Sequence, residues 1–287
     1  MIRFICSVFS FTLFFGIFSQ NNDFKKVQVG VVFCAGTNFS TPQTKLISRD
    51  GIGSNLTLGI NFNYNYTATL GFHTGLEFDF ETVNYKSNST ALTSAYYLYD
   101  DTDILSKKEY LDANGIESFP LNSKLFQIHT RKNKSVYLTI PTMLLFKTEP
   151  IGELKVFCKF GLRNSFLLSN TIFDNGEVYN DFLDGSLKNS SSINSNMKSS
   201  SRELAIYKGC VGIAGGVDWN FIGSTSLVAE LGYYYGLFNI SRSKALVGDS
   251  EKNMSVFSDL NSNLTPQGFS NLPSKQNQLL LKVAILF

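Results

Sequence analysis

Beyond residue 20 the chain has no run of 18 consecutive apolar residues, which excludes a bundle of membrane-spanning helices. Charge is sparse at 17%, and the net charge of +2 is too small to argue for nucleic acid as a partner. Cysteine is scarce and widely spaced: Cys6, Cys34, Cys158 and Cys210 form no CxxC, so neither a zinc site nor a thioredoxin-like motif is supported. Cys34, Cys158 and Cys210 read as small apolar fillers, and Cys6 lies in the leader. Histidine occurs twice, and no HExxH, GxSxG or P-loop pattern accompanies it. We therefore expect no metal, no cofactor and no enzymatic activity.

What the chain does have is aromatic residues, 26 Phe and 13 Tyr against a single Trp, a composition foreign to disordered chains. Residues 1–19 read as a secretory signal peptide: Arg3 supplies the positive start, Ile5 to Phe18 the apolar core and Ser19 a small residue for cleavage. Residues 20–287 then form one mature domain. Its main signal has period two. Leu56, Leu58, Ile60, Phe62 and Tyr64 alternate with Asn55, Thr57, Gly59, Asn61 and Asn63; Leu70 to Glu81 alternates as sharply. A strand sorts such residues onto two faces, whereas a helix would scatter them. Further alternating segments span Val27–Gly36, Ser135–Thr148, Leu154–Leu168, Ala205–Phe221, Thr225–Ile240 and Gln276–Phe287, which makes eight. They run about 10–17 residues, whereas soluble strands cluster near 5–6 and a tilted membrane strand needs about 9–11.

The connections alternate between long and short. Tight turns occur around Thr67, at Glu149–Gly152 and at Ile222–Ser224; the long stretches include residues 85–134, 169–203 and 241–274. That asymmetry predicts an all-β, eight-stranded antiparallel up-and-down transmembrane β-barrel, with short periplasmic turns, long extracellular loops and both termini periplasmic. The long loops are polar, and none is expected to build a second core. Ser186 to Ser201, rich in Ser and Asn, reads as a mobile low-complexity segment. Tyr64, Tyr66, Tyr85, Trp219, Phe221 and Tyr235 suit aromatic girdles at the two interfaces.

Eight strands leave an interior just wide enough for side chains, so a packed polar core is expected rather than a channel. Its charges are Glu77, Asp79, Glu81, Lys155, Lys159, Arg163, Lys208, Asp218, Glu230 and Lys282. Counting along the strands puts Glu77, Lys159, Glu230 and Lys282 at similar depth, Arg163 and Lys208 above, and Lys155 and Asp218 below. Buried charges must be paired, so these read as an ion-pair plug. His73 projects inward near Glu77 and reads as a hydrogen-bonded filler rather than a catalytic base. Phe287 ends the last strand on an aromatic, which resembles the C-terminal signal of bacterial outer-membrane barrels and implies recognition by barrel-assembly machinery.

Tyr137 to Ser169 reads YLTIPTMLLFKTEPIGELKVFCKFGLRNSFLLS. Tyr137, Leu138, Ile140, Pro141, Leu144, Leu145, Phe146, Gly161 and Leu167, with Gly36, Asn38 and Ser40 of the first strand, resemble the PorT-like outer-membrane barrels of Bacteroidetes. The wording covers about 50 residues, and the layout covers the whole barrel. The chain departs from that family in its very long second loop. The resemblance implies outer-membrane lipid as surroundings and, for some members, a part in protein secretion. The expected role is thus non-enzymatic, through surface loops that bind an extracellular or secretion-system protein. A small passive pore, a barrel enzyme acting on lipids or peptides, and a soluble lipocalin-like barrel are the rivals.

Overall fold

The computed structural model describes residues 25–88, 94–100, 103–110, 123–179, 192–200, 204–222, 225–241, 255–260, 266–270 and 272–287. The signal peptide assigned to residues 1–19 lies outside them. Eight antiparallel strands form a closed ring: β1 (Val27–Pro42), β2 (Gly53–Asn65), β3 (Leu70–Ser87), β4 (Lys124–Lys147), β5 (Leu154–Tyr179), β6 (Tyr207–Ile222), β7 (Thr225–Gly236) and β8 (Ser274–Leu286). Each strand pairs with its neighbours in sequence. Closure is made by β1 and β8, in register from Gly30 opposite Leu286 to Pro42 opposite Ser274. The Phe287 N–H extends that seam by donating to the Val29 carbonyl at 2.8 Å. A closed ring leaves no backbone edge in the wall, the condition for strands to cross lipid.

Side chains sort as the alternation demands. Phe33, Leu58, Phe78, Phe160, Ile213 and Leu281 face outward and are about half exposed. Thr57, Glu77, Asp79, Arg163, Glu230 and Lys282 face inward and are buried. A surface this apolar around the whole wall is far beyond what a water-soluble monomer exposes. The opposite arrangement, an apolar centre with charged rows outside, is what a soluble lipocalin-like barrel requires.

The strand ends correct the reading above in several places. β4 starts at Lys124 and β5 runs to Tyr179, so much of the expected loop at 85–134 and at 169–203 is strand. Two bulges explain the difference. The β4–β5 register shifts at Ile128/Thr130 and at Val136/Tyr137, with the extra residues His129 and Leu168. Each extra residue swaps which parity faces inward, so the alternation breaks although the strand continues. Ile47–Arg49 adds to the outer end of β3, and Ala95–Asp100 pairs with the start of β4. Ser192–Ser200 lies along the outer half of β5 as a paired strand, not a mobile segment. Residues 186–191 and 201 of that run lie outside the described residues.

Outside the ring these pieces form one sheet in the order Val256–Phe257, Ala95–Asp100, β4, β5, Ser192–Ser200. The expectation that no loop builds a core is overturned. Leu46, Ile47, Val83, Tyr85, Ala95, Tyr97, Tyr99, Phe126, Ile128, Val178, Val256 and Leu272 form a buried apolar cluster there. Tyr85 belongs to it and not to an interfacial girdle, because it shares inward parity with Glu81 and Val83 on β3. Tyr97 stacks on Phe126 with ring centroids 5.0 Å apart. No single window shows this core because several separated segments each lend it only a few residues.

Candidate functional site

The barrel interior was the candidate site. Glycines make room for it. At Gly212 a Cβ would lie 2.2 Å from Tyr234 Cδ1, so the Tyr234 ring occupies the space a side chain there would take. The Arg163 guanidinium in turn lies over Tyr234, with its Cζ 5.1 Å from the ring centroid.

Arg163 is the centre of the plug. Its NH2 lies 2.8 Å from Asp79 Oδ2 and 3.1 Å from Glu77 Oε2. The hydroxyls of Thr57 and Thr139 donate to Asp79 from the neighbouring strands. Lys282 donates to Glu77 Oε1 at 2.6 Å, and Lys159 to Glu230 Oε2 at 2.6 Å. One level higher, Lys208 donates to both Glu81 oxygens at 2.6 and 2.7 Å, while Gln276 and Gln278 add 2.8 and 2.7 Å bonds to the same carboxylate. Lys208 also stands 4.2 Å over the Tyr137 ring. Every one of the ion pairs joins strands that are not neighbours in the ring. Such pairing is what permits full charges at a depth where an isolated one would cost many kcal/mol.

Nine of the ten residues singled out from the sequence thus make an ion pair. Lys155 is the exception: it is half-buried beside Asp218 in register, whereas the cation on Asp218 is Lys147, with Nζ 3.5 Å from Oδ2. Lys147 was missed because it ends its segment at the turn. Gln276, Gln278, Thr57 and Thr139 were missed because uncharged polar residues carry no pairing signal of their own. The core is not polar throughout: Val32, Leu145, Phe157, Val228, Ala284 and Leu286 close the end near the short turns with an apolar layer. A small cavity of about 10 Å³ between the two layers, lined by Asn61, His73 and Glu230 on one side and by Leu145, Phe157 and Val228 on the other, has room for at most about one water.

His73 Nδ1–H donates to Asn63 Oδ1 at 2.6 Å, and its other close polar neighbour is Lys159 Nζ at 3.4 Å. Neither close neighbour is a hydroxyl or a carboxylate. Among the described residues no group of acidic, cysteine and histidine side chains has metal-ligand spacing.

Three features lie beyond the lumen. Where the barrel opens into the outer sheet, Arg131 makes a two-pronged pair with Asp174, both contacts at 2.8 Å and both residues buried. Ser40 and Ser274 hold the Tyr85 hydroxyl at 2.9 and 3.0 Å, tying β1, β3 and β8 beneath the apolar cluster. At the far end of β5, burial and the adjacent Glu177 carboxylate push the Tyr179 phenol up to about 12.

A family model described as outer membrane protein beta-barrel domain matches residues 18–242. Among solved structures, Neisserial surface protein A is 12% identical with a TM-score of 0.33, over 91% of this chain and 96% of that one. The attachment invasion locus protein of Yersinia pestis is 10% identical with a TM-score of 0.28, over 92% and 100%. A major outer membrane protein from Thermus thermophilus is 16% identical with a TM-score of 0.30, over 90% and 99%. No curated protein sequence matches.

Proposed function

This chain belongs to the outer membrane protein beta-barrel domain family, and from that premise we propose that its barrel is a closed anchor and that its work is done by the sheet beyond the rim. In this reading the termini and short turns are periplasmic, and the outer sheet faces the medium, where it binds an extracellular or secretion-system protein. The single observation that carries it is the continuation of β4 and β5 past the ion-pair plug into a sheet with its own apolar core. A barrel that only crossed a membrane would need about 9–11 residues per strand, and β4 and β5 have 24 and 26. Ordering that much extra chain costs conformational entropy, which a working surface justifies and a bare anchor does not.

The interior argues against a pore. Arg163, Tyr137, Tyr234 and Lys282 are fully buried across it, and conductance requires an open wet path. The setting of His73 favours a non-enzymatic role, and His73→Ala is expected to leave cellular function intact. The Tyr137–Ser169 resemblance supports secretion as the process served.

The test is complementation of a strain lacking the chain. The full chain is compared with one in which residues 88–133 and 170–205 are replaced by short loops. The trimmed barrel is expected to reach the outer membrane and to keep its heat-modifiable band on a gel, yet to fail to restore the lost phenotype. Full restoration by the trimmed barrel would overturn the proposal.

A further inference from the structure

The outward face of β3, β4 and β5 changes character abruptly as it leaves the apolar band. Phe78, Leu138 and Phe166 share one lipid-facing level, and Phe80 and Val136 share the next. Above them the same face carries Thr82, Lys134 and Thr171, and then Asn84, Lys132, Phe173 and Lys198. Lys86 follows one level higher, opposite Thr130. From Phe146 at the turn end of β4 to Val136 is about ten residues, roughly 25 Å of height for a strand tilted by ~40°. That is the thickness of an apolar band, so Lys134 and Lys132 stand at the level of the head groups.

Two of these lysines converge. Lys134 Nζ is 4.9 Å and Lys198 Nζ 5.6 Å from the centroid of the Phe173 ring. Lys132 lies directly across from Phe173 in the register. All three are exposed, and among the described residues no carboxylate occupies the two levels they share. The nearest acid on this face of β5, Glu177, stands beside His129 at 3.8 Å. Like charges gathered around one ring repel each other, and the ring attracts only weakly. A multivalent anion removes that repulsion.

We propose that Lys132, Lys134 and Lys198, with Phe173, bind the phosphorylated head group of a glycolipid in the outer leaflet. The anion's position is set by continuity: the acyl chains of such a lipid would lie on Phe80, Val136, Leu138 and Phe166 directly below. Placing this site in the outer leaflet rests on the orientation proposed above; the binding itself does not. Site and working surface are joined, because Lys198 belongs to the strand whose Met197 packs into the apolar core of the outer sheet.

The experiment uses the full chain, purified and delipidated in dodecyl maltoside, titrated with diphosphoryl lipid A and read by native mass spectrometry. Each lysine near a charged membrane surface changes binding about fivefold, so K132Q/K134Q/K198Q is expected to weaken it about a hundredfold. The control K26Q/K107Q/K275Q, with equal charge removed elsewhere, is expected to bind as the parent does. Lipid A stripped of its phosphates is expected to bind as weakly to the parent as the intact lipid binds to the triple variant. Unchanged binding by the site variant, equal loss in the control, or tight binding of the phosphate-free lipid would each overturn the proposal. Displacement of the lipid by an equimolar amount of inorganic phosphate would overturn it in favour of a free-anion site. Orientation is read separately, by labelling Lys198→Cys in intact cells with an impermeant maleimide in a cysteine-free background. Labelling supports the outer-leaflet placement; labelling only after lysis overturns that placement and leaves the micelle result to stand.

Discussion

At the scale of single residues, Arg163 decides the most. It answers two carboxylates, Glu77 and Asp79, and covers the Tyr234 ring. Replacing it with methionine keeps its bulk but strands Asp79 without a cation in a sealed interior and leaves Glu77 to Lys282 alone. Breaking a buried pair from one side costs about 3–5 kcal/mol, so Arg163→Met should lower the unfolding midpoint in a urea titration of the detergent-solubilised protein. Adding Asp79→Asn should recover part of that loss, since Thr57 and Thr139 can still bond an amide. A second prediction concerns Gly212, where any side chain meets the Tyr234 ring. Gly212→Val should displace Tyr234 from Arg163 and cost about 1–3 kcal/mol by overpacking, measured in the same titration. The depths of the charges were legible because they follow from counts along the strands; which cation meets which carboxylate was not, as Lys147 on Asp218 shows. The glutamine and threonine ligands were not, because their role exists only once strands from opposite ends of the chain are side by side.

At the scale of elements, the outer sheet should behave as a unit separate from the ring. Its core is an aromatic and aliphatic cluster above the Ser40–Tyr85–Ser274 contact. Phe126→Ala removes the ring on which Tyr97 stacks and should cost this unit about 3–5 kcal/mol. Limited proteolysis in membranes should then cut between residues 88 and 134 while the barrel fragment stays protected and heat-modifiable. Loss of barrel protection would show that the two units are one. The membrane halves of the strands were legible because lipid on one side and a charged lumen on the other enforce strict alternation. The outer halves were hidden by the extra residues His129 and Leu168, past which the faces exchange. Ser192–Ser200 was hidden by composition: serine and asparagine read as loop, and here a neighbouring strand satisfies their backbone.

At the scale of the whole molecule, one boundary organises everything: an apolar jacket outside, and ion pairs, tyrosines and an apolar floor inside. A charge placed on the jacket should be costly at mid-depth and cheap near the rims. Leu281→Arg should destabilise by about 2–4 kcal/mol in refolding titrations with phospholipid vesicles, and the same change near either rim by about 0–1. The direct measurement of the boundary is a spin-label scan of β8 in phospholipid vesicles, on a chain whose Cys34, Cys158 and Cys210 are replaced. Labels at Leu279, Leu281 and Val283 should collide freely with lipid-soluble oxygen and hardly with a water-soluble nickel chelate, while labels at Gln278, Leu280 and Lys282 should meet neither reagent well. Nickel reaching the three odd positions as readily as oxygen would place them in water and contradict the account.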